Sequence, residues 1–217
     1  MSFRTGAAVR WLLVAVCIAV VVALPLTFPP GMGATAFDRT ATDWVRATFH
    51  PVARVFLAPS ETPYLLPVVV VGVGFYGWAR EFRRAALLIA TPAAAVLLNT
   101  LVLKQLFGRT LTSAYVDHPF LAYPSGHTVA YASVAAAFVL AARTGRGRAA
   151  WAVAIAATLP GVAAGLIWYG YHLATDVIAG LCVAVAVALV VAAVVEISAA
   201  QHRHRRDGDT HALRPRS

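Results

Sequence analysis

Charge is what this chain has least of. Only 12% of its 217 residues are Asp, Glu, Lys or Arg, and 60% are hydrophobic. A soluble globular domain carries about 25% charged residues, so that class is excluded. Cysteine is nearly absent too. Cys17 and Cys182 both fall in apolar runs, which excludes a disulfide framework and leaves packing as their reading. No second carboxylate or cysteine joins the polar motifs with metal-ligand spacing. Asp117 and His118 are the nearest candidates and read as loop residues. Internal repeats are also lacking. The net charge of +9 would suit a nucleic-acid partner. Much of it, however, lies in short loops between apolar runs and in the C-terminal tail, where membrane topology accounts for it better than DNA or RNA.

What the chain has is long apolar runs. Six stand out, over residues 11–28, 63–79, 85–103, 128–142, 149–168 and 177–197. Most reach the ~17–25 residues a bilayer demands. The fourth is the shortest, starts near Ser125 and frays into "AARTG". The expected fold is all-α: a polytopic membrane protein with six transmembrane helices in one bundle over residues 1–200. The first run exceeds the ~7–15 residues of a signal-peptide core. Met32 stands where cleavage wants a small residue, so the run reads as an uncleaved anchor.

Arginines set the expected orientation. With both termini cytoplasmic, the inner segments hold Arg4 and Arg10; Arg80, Arg83 and Arg84; Arg143, Arg146 and Arg148; and Arg203, Arg205, Arg206, Arg214 and Arg216. That is 13 of 18 basic residues, as the positive-inside rule requires. The outer segments keep Arg39, Arg46, Arg54, Lys104 and Arg109. The outer stretch 29–62 mixes Trp44, Phe49 and Phe56 with Arg46 and Arg54. It reads either as an interfacial amphipathic helix broken at Pro51 or as an ordered loop. The tail 201–217 is polar and basic, and reads as a disordered segment able to touch anionic lipid.

Three features then meet at the outer face. "LKQLFGRT" brings Lys104 and Arg109, "YPSGH" brings Ser125, Gly126 and His127, and "GYHLATD" brings His172 and Asp176. Ionisable groups at span ends are costly and are functional candidates by default. Each has a bland reading. Lys104 and Arg109 are also what snorkelling residues look like, Ser125 what a helix cap looks like, and His172 with Asp176 a simple hydrogen-bonded pair. Together they suit a phosphate. Lys104 and Arg109 supply cations, and the helix start at Ser125 and Gly126 supplies free amides and a positive dipole end. A histidine held by a carboxylate can attack phosphorus, which suits His172 and Asp176. A second histidine, His127, can protonate the departing alkoxide. No metal or other cofactor is called for.

These residues resemble the type 2 phosphatidic acid phosphatase superfamily, in its integral-membrane branch. Its motifs are Lys-x6-Arg-Pro, Pro-Ser-Gly-His and Ser-Arg-x5-His-x3-Asp. Pro124, Ser125, Gly126 and His127 match the second in full, His172 and Asp176 the end of the third, and Lys104 the start of the first. The resemblance implies His172 as nucleophile, Asp176 as its partner and His127 as general acid. The chain departs where the family has arginine: Leu111 and Leu166 take those places, and Thr112 replaces a proline. Each lost charge-assisted bond to a phosphate dianion is worth about 1.5–3 kcal/mol. Gly108–Arg109 matches an extra Gly-Arg that many relatives carry, so Arg109 is expected to bind substrate in place of one of them. Tyr123, Tyr169 and Tyr171 are candidate donors.

The function so implied is metal-independent hydrolysis of a lipid phosphate or polyprenyl (di)phosphate at the outer membrane face. The expected partners are that substrate and membrane lipids, with no nucleic acid. Two alternatives stand beside it: phosphotransfer to another hydroxyl, and a non-catalytic lipid-binding or transport protein whose site is degraded at Leu111 and Leu166.

Overall fold

Helix start and stop signals divide the chain much as its apolar runs suggest. The structure, a computed structural model, describes residues 3–49, 53–113 and 115–212. In order they form α1 (Phe3–Ala23), α2 (Ala36–Thr48), α3 (Ala53–Leu57), α4 (Thr62–Trp78) and α5 (Phe82–Leu97). A π-helical stretch, Leu98–Leu103, runs on into α6 (Lys104–Phe107). The strands β1 (Thr110–Ser113) and β2 (Val116–Leu121) follow, then α7 (Gly126–Ala141), α8 (Gly145–Trp168) and α9 (Ala174–Ala212).

Among the described residues, four helical stretches are long and apolar enough to cross a membrane: Gly6–Thr27, Phe82–Phe107, Gly145–Trp168 and Ala174–Ser198. Thr62–Trp78 and Gly126–Ala141 are apolar but shorter, at 17 and 16 residues. At 1.5 Å per residue, 16 residues span about 24 Å against a ~30 Å hydrocarbon core. The shorter length suits the place of α7. It is the most enclosed helix, packed against α5, α9 and α8. Its buried positions run from Thr128 to Ala141, and many are alanine, so neighbouring backbones approach closely.

The C-terminal end of α7 is held by a cation and a hydroxyl. Arg84 donates to the Ala141 carbonyl at 2.5 Å and Tyr76 donates at 3.0 Å. Positive charge is favoured there, where helix carbonyls lack partners. Glu81 pairs with Arg84 and Arg143, and Arg10 of α1 pairs with Glu196 of α9 at 2.8 Å. This end of the bundle is stapled by ion pairs. The functional residues gather at the other.

Two expectations need amendment, and one left open between two readings is narrowed. The segment between the third and fourth apolar runs is not plain loop. It is an antiparallel hairpin with Thr110 opposite Leu121 and Leu111 opposite Phe120, and Asp117 and His118 lie in β2. The mixed outer stretch does hold a helix, α2. Thr35 caps it, accepting from the Asp38 amide while Asp38 accepts from the Thr35 amide, a reciprocal capping box. Trp44 is exposed on this helix. Pro51, Arg214 and Arg216 lie outside the described residues. Finally, α9 continues as helix to Ala212, through most of the segment read as a disordered tail.

Candidate active site

The site forms where three chain reversals meet, and in two of them a glycine makes the turn. Gly108, at φ +63°, ends α6 and turns the chain so that Arg109 enters the interior. Gly170, at φ +66°, ends α8. Its amide donates to Ile167 O at 3.0 Å and the Tyr171 amide donates to Leu166 O at 3.0 Å. That pair of bonds is a Schellman closure, which the left-handed glycine permits. The closure swings Tyr171 and His172 out of α8 and over the cavity.

The third reversal is the start of α7. Ser125 is its N-cap: the Ser125 hydroxyl oxygen accepts from the Thr128 amide at 3.3 Å, a standard capping role. The Ser125 amide donates to the Asp176 carbonyl at 3.0 Å, so the second and third motifs are joined through backbone. Gly180 on α9 lets them approach. A Cβ there would lie 2.8 Å from Ser125 O. Among the described residues no acceptor takes the amides of Gly126 and His127. These amides, at the positive end of a 16-residue helix, are what a phosphate oxygen needs.

A cavity of about 660 Å³ opens beside this helix start, with Lys104, Gly126, His127, Tyr171, His172 and Glu61 in its wall. The His127 and His172 rings are 5.8 Å apart, centre to centre, and edge-on. His127 is also stacked with Tyr171 at 6.2 Å. Lys104 is the chain's only lysine. Its ammonium donates to the Leu121 carbonyl at the end of β2. It also stands 3.8 Å from where a Gly126 Cβ would be. One cation, two histidines and two amides therefore face one space.

His172 is 3% exposed. Its Nδ1 lies 3.8 Å from Asp176 Oδ2 and has no hydrogen-bond partner. Burial pushes its pKa below the ordinary histidine value, although the Asp176 carboxylate and the Ala122 carbonyl oppose the shift. The ring is thus held neutral, the form in which it can attack an electrophile. Asp176 is held by both oxygens: Oδ2 accepts from the Leu173 amide at 2.9 Å and Oδ1 from Arg109 at 2.8 Å.

Arg109 is the main correction. Expected to bind substrate, it is fully buried and all its donors are engaged. Nε donates to Met32 O at 2.9 Å. Nη1 donates to Thr175 Oγ1 and Asp176 Oδ1, each at 2.8 Å. Nη2 donates to Gly33 O at 2.7 Å and to Asp38 Oδ2 at 3.3 Å. The guanidinium also packs on the Phe28 ring at 3.9 Å. With five donors in total, none is left for a phosphate. Leu166 is likewise not a gap in the anion site. It is fully buried in an apolar cluster with Val45, Leu57, Tyr131 and Val162. Of the tyrosines named as donors, Tyr171 lines the cavity. Tyr123 is buried and donates to Val21 O at 2.6 Å, while Tyr169 borders a separate surface groove with Arg46 and Trp168.

Sequence reasoning missed Asp38 and Thr175. The pattern Thr35-x-x-Asp38 announced a capping box. Nothing in it announced that Asp38 would reach Thr175, 137 positions away.

A family model for the PAP2 superfamily matches residues 84–199. No curated protein matches the chain. Among solved structures, the fold resembles a transmembrane PAP2-type phosphatidylglycerolphosphate phosphatase from Bacillus subtilis, at a TM-score of 0.64 and 18% identity, over 84% of this chain and 93% of that one. With the family model spanning more than half its length and the Pro-Ser-Gly-His histidine brought against the His-x3-Asp pair, the chain belongs to the PAP2 superfamily.

Proposed function

We propose that this protein is a six-span membrane enzyme that hydrolyses a lipid phosphate, without a metal, through a phosphohistidine on His172. The observation that carries the reading is the shared cavity. His127 and His172 face each other across 5.8 Å beside Lys104 and the open start of α7. Lys104 and the Gly126 and His127 amides hold the phosphate oxygens. His172 attacks phosphorus through the ring nitrogen away from Asp176. A P–N bond forms, the P–O bond to the lipid breaks, and His127 gives its proton to the departing oxygen. Water then attacks the phosphohistidine and His127 takes a proton from it. The P–N bond breaks, releasing inorganic phosphate and restoring both histidines. A lipid substrate fits a site at the end of an apolar bundle. Release of phosphate from a panel of lipid mono- and diphosphates, run in EDTA, tests the reading. Turnover that survives EDTA is expected. Activity lost in EDTA and restored by Mg²⁺ would overturn the metal-free step.

A second reading, a lipid-phosphate binder without turnover, draws on one observation. With Arg109 engaged elsewhere, Lys104 is the single lysine or arginine in the cavity wall among the described residues. Saturable binding of a lipid phosphate with no phosphate released from any member of the panel would favour it.

The arginine distribution supports a cavity that opens to the periplasmic or exterior face of the cell membrane. His118 is exposed on β2 near the site. His118→Cys, in a background lacking Cys17 and Cys182, is expected to react with a membrane-impermeant thiol reagent in intact cells. Labelling only after lysis would invert the orientation.

A further inference from the structure

We infer that Arg109 and Asp38 are positioning residues for the His172–Asp176 pair, so that the catalytic geometry depends on the outer helix α2. The inference rests on the phosphatase reading and extends it to two residues that touch no substrate.

The geometry is a closed circuit. Asp176 Oδ1 is held by Arg109 at 2.8 Å, leaving Oδ2 to the Leu173 amide and to the His172 side of the group. Arg109 is fixed in turn by Met32 and Gly33 carbonyls and by Asp38. Asp38 closes the circuit on the residue next to Asp176. Its Oδ1 accepts from the Thr175 amide at 2.9 Å and its Oδ2 from the Thr175 hydroxyl at 3.1 Å. Residues 175 and 176 are thereby gripped on both sides. Asp38, Arg109 and Asp176 are each 0% exposed. Charges so enclosed interact far more strongly than surface pairs. The Thr175 and Thr35 hydrogen bonds keep Asp38 ionised, lowering its pKa against the effect of burial.

The charge count gives the circuit a chemical role beyond anchoring. Two carboxylates enclose one guanidinium, so the cluster carries one net negative charge. Its carboxylate oxygen next to the histidine, Asp176 Oδ2, lies 3.8 Å from His172 Nδ1. Phosphorylation places positive charge on the His172 ring, which the cluster stabilises. Among the described residues, the other ionisable groups facing His172 are Lys104 from α6, His127 from α7, Tyr171 on its own loop and Glu61 across the cavity. None of them belongs to the circuit.

The test is steady-state kinetics across pH on the full-length enzyme in detergent, with a short-chain phosphatidic acid. Asp38→Asn keeps the shape and removes one negative charge. It is expected to lower kcat about 10-fold, to leave KM within about 2-fold, and to move the acid limb of kcat/KM to lower pH. Arg109→Gln removes the positive charge and is expected to move that limb the other way. Arg109→Lys keeps the charge but not the planar fork, so kcat falls while the limb stays. Histidine NMR titration of the same proteins, with His172→Asn to assign the signal, reads the shift without substrate. A rise in KM at unchanged kcat would make Arg109 a phosphate ligand and overturn the inference. So would Asp38→Asn protein with a lower melting temperature but an unmoved limb and unmoved His172 titration, since that is an anchor alone. Failure of the phosphatase reading shows separately, as wild-type protein that releases no phosphate. In that case a His172 titration indifferent to Asp38 overturns the charge coupling as well.

Discussion

His172→Ala is expected to reduce phosphate release by on the order of 10⁴-fold or more, because removing a nucleophile removes the reaction path and leaves only binding and the remaining donors. The ring that is lost is buried, neutral and backed by a carboxylate. No neighbouring group substitutes for it. A phenol such as Tyr171 is a poor nucleophile toward phosphorus, and His127 sits on the helix start, where among the described residues no carboxylate pairs with it as Asp176 does with His172. Rapid quench of wild-type enzyme with ³²P-labelled lipid phosphate should trap an acid-labile, base-stable phosphoprotein, and His172→Ala should trap none. Near wild-type release by His172→Ala would sink the assignment. The pH dependence follows from the same burial. The pKa of His172 is depressed, so the ring stays neutral as pH falls through the ordinary histidine range near 6.5. The acid limb of kcat/KM that reports the nucleophile therefore lies below pH 6.5. An acid limb above pH 7 would mean that burial does not govern this ring.

The motif residues and the helical character were legible in the sequence because each is encoded locally. The apolar runs give the helices, and Pro124–His127 and His172–Asp176 are short enough to be seen whole. The hairpin was not read, although "TLTSAYVDHPFL" contains threonine, valine, tyrosine and phenylalanine at strand-like positions. Two strands of four and six residues are too short for a periodicity to assert itself beside long apolar helices. The fate of Arg109 was hidden for a different reason. Its five donors go to Met32, Gly33, Asp38, Thr175 and Asp176, drawn from opposite ends of the chain. An arginine near a phosphate motif and one locked in a buried ion-pair network look the same in sequence, because the acceptors that decide between them are set by packing. Leu166 has the same lesson. It occupies the place of an arginine in the motif, yet it is fully buried and packed in an apolar cluster, so the site was rebuilt rather than merely stripped.

That rebuilding raises the demands on the second histidine. With Lys104 as the single lysine or arginine in the cavity wall among the described residues, less positive charge is available to stabilise a departing alkoxide, and proton donation from His127 must carry more of the barrier. His127→Gln keeps a hydrogen-bonding side chain but cannot deliver a proton. On a lipid phosphate, whose alkoxide leaving group is strongly basic, it is expected to lower kcat about 10²–10⁴-fold, the usual range for general acid catalysis. On an aryl phosphate such as p-nitrophenyl phosphate, the leaving group needs no proton, and the same variant should lose less than about 10-fold. The phosphohistidine should still form with the aryl substrate and then persist, because His127 also takes the proton from the attacking water. A burst of nitrophenol followed by slow turnover is the expected trace. The ring centres of His127 and His172 are 5.8 Å apart, so the same histidine stands beside the nucleophile in both steps. Equal losses on alkyl and aryl substrates, with no burst, would remove His127 from proton transfer and leave it as a binding residue stacked with Tyr171.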